Sequence, residues 1–246
     1  MIVKAIRTRA FLPPKDDLFS LIKKSFMGLN LKEKSIIVIT SKIVAIGQGR
    51  CVKMEKGVDK DDLIKKEADL YIDRKEVPEG YVMLTIKNGI LIPTAGIDES
   101  NAKGYYILWP KKPFKAAEEI YDFIKKEYKL KNFGVLITDS HCTPLRNGII
   151  GIGLAFCGFY PLKDYRGEAD IFGRKMKMSQ SNIVDSLASA AVLEMGEGAE
   201  QTPMAVIEGV DFIKFGKFKN LEKLMKIDID RDIYSPLIKS TKWKKK

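Results

Sequence analysis

Two periods of hydrophobicity alternate along the chain, and the switches between them mark out its elements. The β-branched runs MIVKAI at the start and SIIVIT at 35–40 predict strands, whereas DDLFSLIKKSF and KDDLIKKEADLYI carry apolar residues at three- and four-residue spacing and predict helices. Two extended runs flank the tripeptide KNG in YVMLTIKNGILIPTAG, and Asn-Gly tolerates the positive φ angles of a tight hairpin turn. Downstream, FKAAEEIYDFIKKEY predicts a helix, FGVLITD a buried strand, and SNIVDSLASAAVLEM a helix capped by Ser181 or Asn182 and stopped by Gly196. The mixture of hairpin and helix signals points to an α+β or α/β chain. No repeat or Pro/Ser-rich linker divides it, so residues 1–246 are expected to form one domain.

Composition changes this picture little. At 246 residues with 45% hydrophobic and 30% charged residues, the chain reads as an ordinary globular protein. The excess of 43 Lys plus Arg over 32 Asp plus Glu gives a formal charge of +11, which favours an anionic partner such as a nucleotide. No basic run is interleaved with aromatics, so nucleic acid is not the expected partner. Cys51, Cys142 and Cys157 are odd in number and form no C-x-x-C, which fits a reducing cytoplasm. No stretch approaches the ~20 apolar residues of a membrane span, and MIVKAIRTRAFLPP has no signal-peptide core, so no membrane insertion is expected.

The chemistry-bearing residues are few. His141, the lone histidine, adjoins Cys142, but neighbours in extended backbone face opposite ways and are badly placed to share a proton. Asp139, at the end of the apolar run FGVLIT, is the better candidate, because carboxylates at strand ends project into ligand clefts. Asp98 in TAGIDESN and Glu197 in MGEGAE have a similar setting, and three carboxylates on short glycine-bearing loops suit a hard Mg²⁺ or Mn²⁺ ion. Neither G-x-x-x-x-G-K-S/T nor G-x-G-x-x-G occurs, which removes the P-loop and dinucleotide-fold readings. The glycines of GIIGIGLAFCG read as bulge or close-packing positions in a strand.

Taken in order, FLPPKDDLFSLI, ITSKIVAIGQGR, IKKEAD, AGIDESN, ITDS, PLKDYRGEADIFGR and LEMGEGAEQTPMAVIEG resemble the coenzyme F-420-0:γ-glutamyl ligase family. The resemblance implies an α+β fold with mixed sheets and packed helices in two intimately associated lobes, and a homodimer whose interface helps form the site. It implies a ligase that joins L-glutamate to an acceptor carboxylate with GTP, through an acyl phosphate. Two divalent ions, Mg²⁺ or Mn²⁺, are implied as well, with Asp98 and Asp139 as ligands of one and Ser140 and Glu197 of the other. Nucleotide contacts map onto Leu12, Pro13, Pro14 and Lys15; onto Ser41, Lys42 and Asn101; and onto Met195, Gly196, Glu197, Gly198, Ala199, Glu200, Gln201 and Thr202. His141, Arg146, Arg166 and Arg174 are the candidate acceptor or anion contacts.

Two departures qualify the resemblance. The family typically has a lysine four residues after the position of Lys42, where this chain has Ile46. It also carries DTFGRPWR-x-G where this chain reads DSHCTPLRNG, which keeps Asp139, Pro144, Arg146 and Gly148 but has Thr143 and Leu145 in place of the family's first Arg and its Trp. The altered loop shifts the expected acceptor towards a tetrahydrofolate-type pterin, with coenzyme F-420-0 still open. Ile46 keeps a second reading in view, a non-catalytic nucleotide-binding regulator on the same fold.

Overall fold

Residues Ile36 to Ile39 are buried without interruption, as a strand covered on both faces requires. In the computed structural model, which describes residues 1–245, Ile36–Thr40 is the middle strand of a five-stranded sheet. Its order is Ile2–Ile6, Met204–Glu208, Ile36–Thr40, Gly134–Cys142, Ile149–Cys157. Ile36–Thr40 and Gly134–Cys142 run parallel, and the other neighbours are antiparallel.

The two-residue period of the strands separates two cores. Ile37, Ile39, Val135 and Ile137 pack with Leu21, Ile22, Val44 and Ile120 from the helices Leu18–Ser25, Ser41–Gly47 and Pro113–Tyr128. Ile36, Val38 and Leu136 face the other way, onto Val184, Leu187 and Ala191 of the helix Ile183–Met195. That helix begins at Asn182, whose side chain accepts the Asp185 N–H, and ends at Gly196 with φ +76°. It lies close to the sheet because Gly151 and Gly153 carry no side chain; a Cβ on Gly151 would sit 2.3 Å from the Ala188 carbonyl oxygen, and one on Gly153 2.2 Å from Val184 Cγ1.

A second packing centre is built between residues 51 and 109. Four antiparallel strands, in the order Lys244–Lys245, Leu70–Ile72, Leu84–Lys87, Ile90–Pro93, adjoin the pair Cys51–Lys53 and Tyr105–Ile107 and the helix Lys60–Glu67. Ile64, Ala68, Met83, Ala95, Ile97 and Leu108 form its core. The hairpin turn at Asn88 (φ +54°) and Gly89 (φ +77°) is the one anticipated from KNG. The fold is α+β with mixed sheets and packed helices.

Three sequence expectations change. The helix expected over KDDLIKKEADLYI ends at Glu67, because Ala68 turns extended and Leu70–Ile72 pairs with Leu84–Ile86; strand pairing overrides a weak local helix pattern. SKIVAIG forms a helix directly after its strand, which its all-apolar run did not reveal. The strand through FGVLITD continues to Cys142 against Ile149, so Asp139 lies inside a strand and not on a loop.

Candidate functional site

The segment TAGIDESN approaches the central sheet through an unusual turn. Thr94, Ala95 and Gly96 all have positive φ, at +53°, +52° and +68°, although L residues enter this region at a cost. Surrounding hydrogen bonds impose it: Thr94 N–H donates to the Met83 carbonyl at 2.8 Å, and Ala95 N–H to Thr85 Oγ at 2.9 Å. Strain held in this way is typical of functional sites. The turn delivers Asp98, which bridges to Ile107 through two backbone hydrogen bonds.

Asp98 and Asp139 meet at one cavity of about 320 Å³. Ser41, Lys42, Asn101, Ser140 and the whole run Met195 to Thr202 also line it. Lys42 Nζ lies 2.5 Å from Asp98 Oδ2 and also donates to the Ser100 carbonyl at 3.0 Å. Ser140 Oγ donates to Glu197 Oε1 at 2.6 Å, and Asn101 Nδ2 to the Gly198 carbonyl at 2.8 Å. The backbone from 196 to 201 is held by Glu200, which accepts the Gly198 N–H at 2.8 Å, and by Thr8 N–H donating to the Gln201 carbonyl.

Burial pushes Asp98 up, but Lys42 and the Ser100 N–H and hydroxyl outweigh it and hold the carboxyl below its ordinary value. Asp139 shifts the other way. Burial pushes its carboxyl up to about 6, with the Asp98 charge adding to the rise against the Trp109 and Ser140 N–H donors and Lys42. Two carboxylates in one pocket thus differ in how readily they ionise.

The sign of this shift sets a prediction for metal-free protein. Between about pH 4 and 6 the folded state keeps a proton on Asp139 that the unfolded chain has released, so stability falls as pH rises through that window. The effect is at most about 3 kcal/mol, at 1.4 kcal/mol per pKa unit. In Asp139→Asn that slope should be absent and the melting temperature at pH 7 raised, as measured by thermal denaturation with a chelator present. A wild-type slope in the variant contradicts the assignment.

The donors at the cavity are all oxygen, and the resemblance pairs Asp98 with Asp139 and Ser140 with Glu197. Among the described residues no three His, Cys, Asp or Glu side chains converge on one point. Two protein oxygens per position nevertheless fit a small hard cation, which keeps waters and takes further ligands from phosphate oxygens. Thr138 Oγ, buried at the cavity wall with no hydrogen-bond partner among the described residues, is a further unassigned oxygen there.

Other anticipated residues lie elsewhere. Leu12, Pro13 and Pro14 do not line this cavity, and Lys15 lines an adjacent cleft of about 560 Å³ with Asp16, Phe19, Gln48 and Glu119. His141 is half-buried on the strand outside the cavity; burial holds its imidazole below the ordinary value despite Asp185, and its Nδ1 has no partner among the described residues. Arg146 is exposed in the turn after Cys142. Arg166 pairs with Asp164 at 2.5 Å, and Arg174 lies in the exposed arm that follows the short strand Leu162–Asp164 and returns through Gln180–Asn182.

Two contributors escaped the sequence reading. Arg9 lines the cavity and forms a forked pair with Asp16 at 2.5 and 2.7 Å, which gives the run before FLPP a role that no motif announced. Trp109, 3% exposed, donates its indole N–H to Asp139 Oδ2. Only the fold brings positions 109 and 139 together, and the rarity of tryptophan, two in the chain, was the one signal available.

A strand-borne carboxylate, a second carboxylate paired with lysine, and a cavity that gathers both with Ser140 and Glu197 are the setting of an acyl-transfer class of protein. The F420-0:Gamma-glutamyl ligase family model matches residues 6–209, and the chain belongs to this family, hence to the amide-bond-forming ligases. It is 30% identical over 214 residues to the Coenzyme F420:L-glutamate ligase of Methanopyrus kandleri, covering 80% of this chain and 82% of that one. To the protein of the same name from Methanocaldococcus jannaschii it is 32% identical over 203 residues, covering 77% and 80%.

Proposed function

We propose that the chain is a GTP- and divalent-metal-dependent γ-glutamyl ligase, which activates an acceptor carboxylate as an acyl phosphate and joins it to the amine of L-glutamate. The observation that carries this reading is the single cavity shared by Asp98, Asp139, Ser140, Glu197 and Lys42. Mg²⁺ or Mn²⁺ held by the pairs Asp98/Asp139 and Ser140/Glu197 would neutralise charge on the polyphosphate. The run Met195 to Thr202, with Asn101 bound to it, forms a wall suited to the nucleotide. Lys42 is placed to exchange Asp98 for a phosphate oxygen, since its ammonium already faces the cavity. An acceptor carboxylate oxygen would take the γ-phosphoryl group as GDP leaves, the glutamate amine would attack the resulting acyl carbon, and inorganic phosphate would leave as the amide forms and the amine gives up a proton.

The names of the relatives put a coenzyme F-420 acceptor first, and the altered Ser140–Arg146 segment keeps a tetrahydrofolate-type pterin as the second. Ile46, 2% exposed and lining the cavity, brings no charge to the wall and favours the alternative of nucleotide binding without turnover. A homodimer fits the exposed arm, where Ile171 and Phe172 are 91% and 89% exposed; a single protomer mass in light scattering would exclude it.

The deciding experiment is mass spectrometry after incubation with GTP, Mg²⁺ plus Mn²⁺, L-glutamate, and either coenzyme F-420-0 or a reduced folate monoglutamate. A product heavier by one glutamyl residue, dependent on metal, identifies the acceptor. Bound nucleotide without product from either acceptor excludes both and favours a different acceptor or the non-catalytic alternative.

A further inference from the structure

Trp109 is clamped from every side, and the clamp ends on Asp139. Its carbonyl accepts from Arg50 Nε at 3.1 Å, and Arg50 Nη2 pairs with Glu67 at 2.8 Å. Lys87, only 6% exposed, pairs with the same Glu67 oxygen at 2.8 Å and lies 5.3 Å from the Trp109 ring centroid, within range of a cation–π contact. Gly96 closes the other face, since a Cβ there would fall 1.9 Å from Trp109 Nε1. Burial of charge on this scale is costly unless every partner is satisfied, so the Arg50–Glu67–Lys87 group holds the Trp109 backbone through Arg50 and the ring through Lys87, with Gly96 packed against the indole N–H edge. In that pose the N–H is committed to Asp139 Oδ2.

We propose that Trp109 is a positioning residue that limits Asp139 to one-oxygen ligation of a cation and thereby selects Mg²⁺ or Mn²⁺ over Ca²⁺. The inference rests on the reading of Asp139 as a metal ligand. Ca²⁺ takes six to eight oxygens and readily uses both oxygens of a carboxylate, whereas Mg²⁺ requires near-octahedral geometry with single oxygens and retained water. The indole N–H takes one lone pair of Oδ2 and fixes the carboxylate's orientation, which disfavours the two-oxygen arrangement and suits ligation through Oδ1 alone. Hydrogen-bond partners of a ligand also orient it, and their loss costs roughly 10–100-fold in metal affinity.

The test is a Mn²⁺ titration read by the electron paramagnetic resonance of free Mn²⁺, with Ca²⁺ as competitor, both without nucleotide and with a non-hydrolysable GTP analogue. Trp109→Phe keeps a ring beside Lys87 but removes the donor. It should weaken Mn²⁺ binding about 10-fold or more and shrink the preference for Mn²⁺ over Ca²⁺. Wild-type affinity and preference in this variant overturn the proposal. Protein with 3-benzothienylalanine at position 109 has the same ring shape without the N–H and should show the same loss; retained selectivity there assigns the Trp109→Phe effect to packing and equally overturns the proposal. If Asp139→Asn binds Mn²⁺ as the wild type does, the metal-ligand reading itself fails, an outcome distinct from failure of the Trp109 variants alone.

Discussion

Asp139→Asn is expected to lower glutamyl transfer by on the order of 10³-fold while leaving a folded protein, because the substitution removes charge and not volume. The asparagine oxygen can still accept the Trp109 N–H, so the packing around the indole is retained. What is lost is the anionic oxygen facing Asp98 and Lys42 in the cavity. Loss of activity should therefore accompany a gain in metal-free stability at pH 7, since the wild type holds an ionised carboxylate where burial disfavours it. The two readouts separate a role in chemistry from a role in folding: single-turnover product formation falls, whereas the thermal midpoint rises. An active variant sinks the proposed site, and an inactive variant that also melts early attributes the loss to structure.

How much of this was legible in the sequence depended on whether a residue's role is local. The central strand Ile36–Thr40 and the helix Ile183–Met195 were legible because burial on both faces, or on one stripe, writes itself into the residue pattern. The Asn88-Gly89 turn was legible because its backbone angles demand those residues. The carboxylates Asp98, Asp139 and Glu197 stood out as polar residues punctuating apolar or small-residue segments, and the fold gathers all three at one cavity. By contrast, the strand from Gly134 continues through the polar Ser140 and His141, where the pairing partner Ile149–Cys157 dictates extension and composition does not. Arg166 and Arg174, the candidate anion contacts within PLKDYRGEADIFGR, lie on the exposed arm and outside the cavity lining, a placement that only the fold reveals. The Arg50–Glu67–Lys87–Trp109 group joins four segments up to 59 positions apart, a distance at which no periodic signal operates.

The second large effect is expected at Gly96, a residue with no chemistry of its own. Gly96→Ala places a methyl group 1.9 Å from Trp109 Nε1 and 2.2 Å from its Cε2, contacts that no rotamer of alanine relieves. The residue also has φ +68°, where an L side chain adds roughly 1–2 kcal/mol of strain. Retreat of the indole is opposed by Lys87 at the ring and by Arg50, which anchors the Trp109 backbone carbonyl, so the turn carrying Asp98 must move instead or the ring must lose its hydrogen bond. Overpacking of this kind adds about 1–3 kcal/mol. A destabilisation of about 2–5 kcal/mol in denaturant titration, with activity reduced at least ~100-fold at temperatures where the variant remains folded, is the expected result. Either outcome at the site disturbs a carboxylate, because Gly96 is two residues from Asp98 and its neighbour Trp109 is bonded to Asp139. Full activity in a folded Gly96→Ala protein would mean that the indole and the Asp98 turn can shift without disturbing the reacting groups, and the close approach of the two segments would then be a packing feature alone.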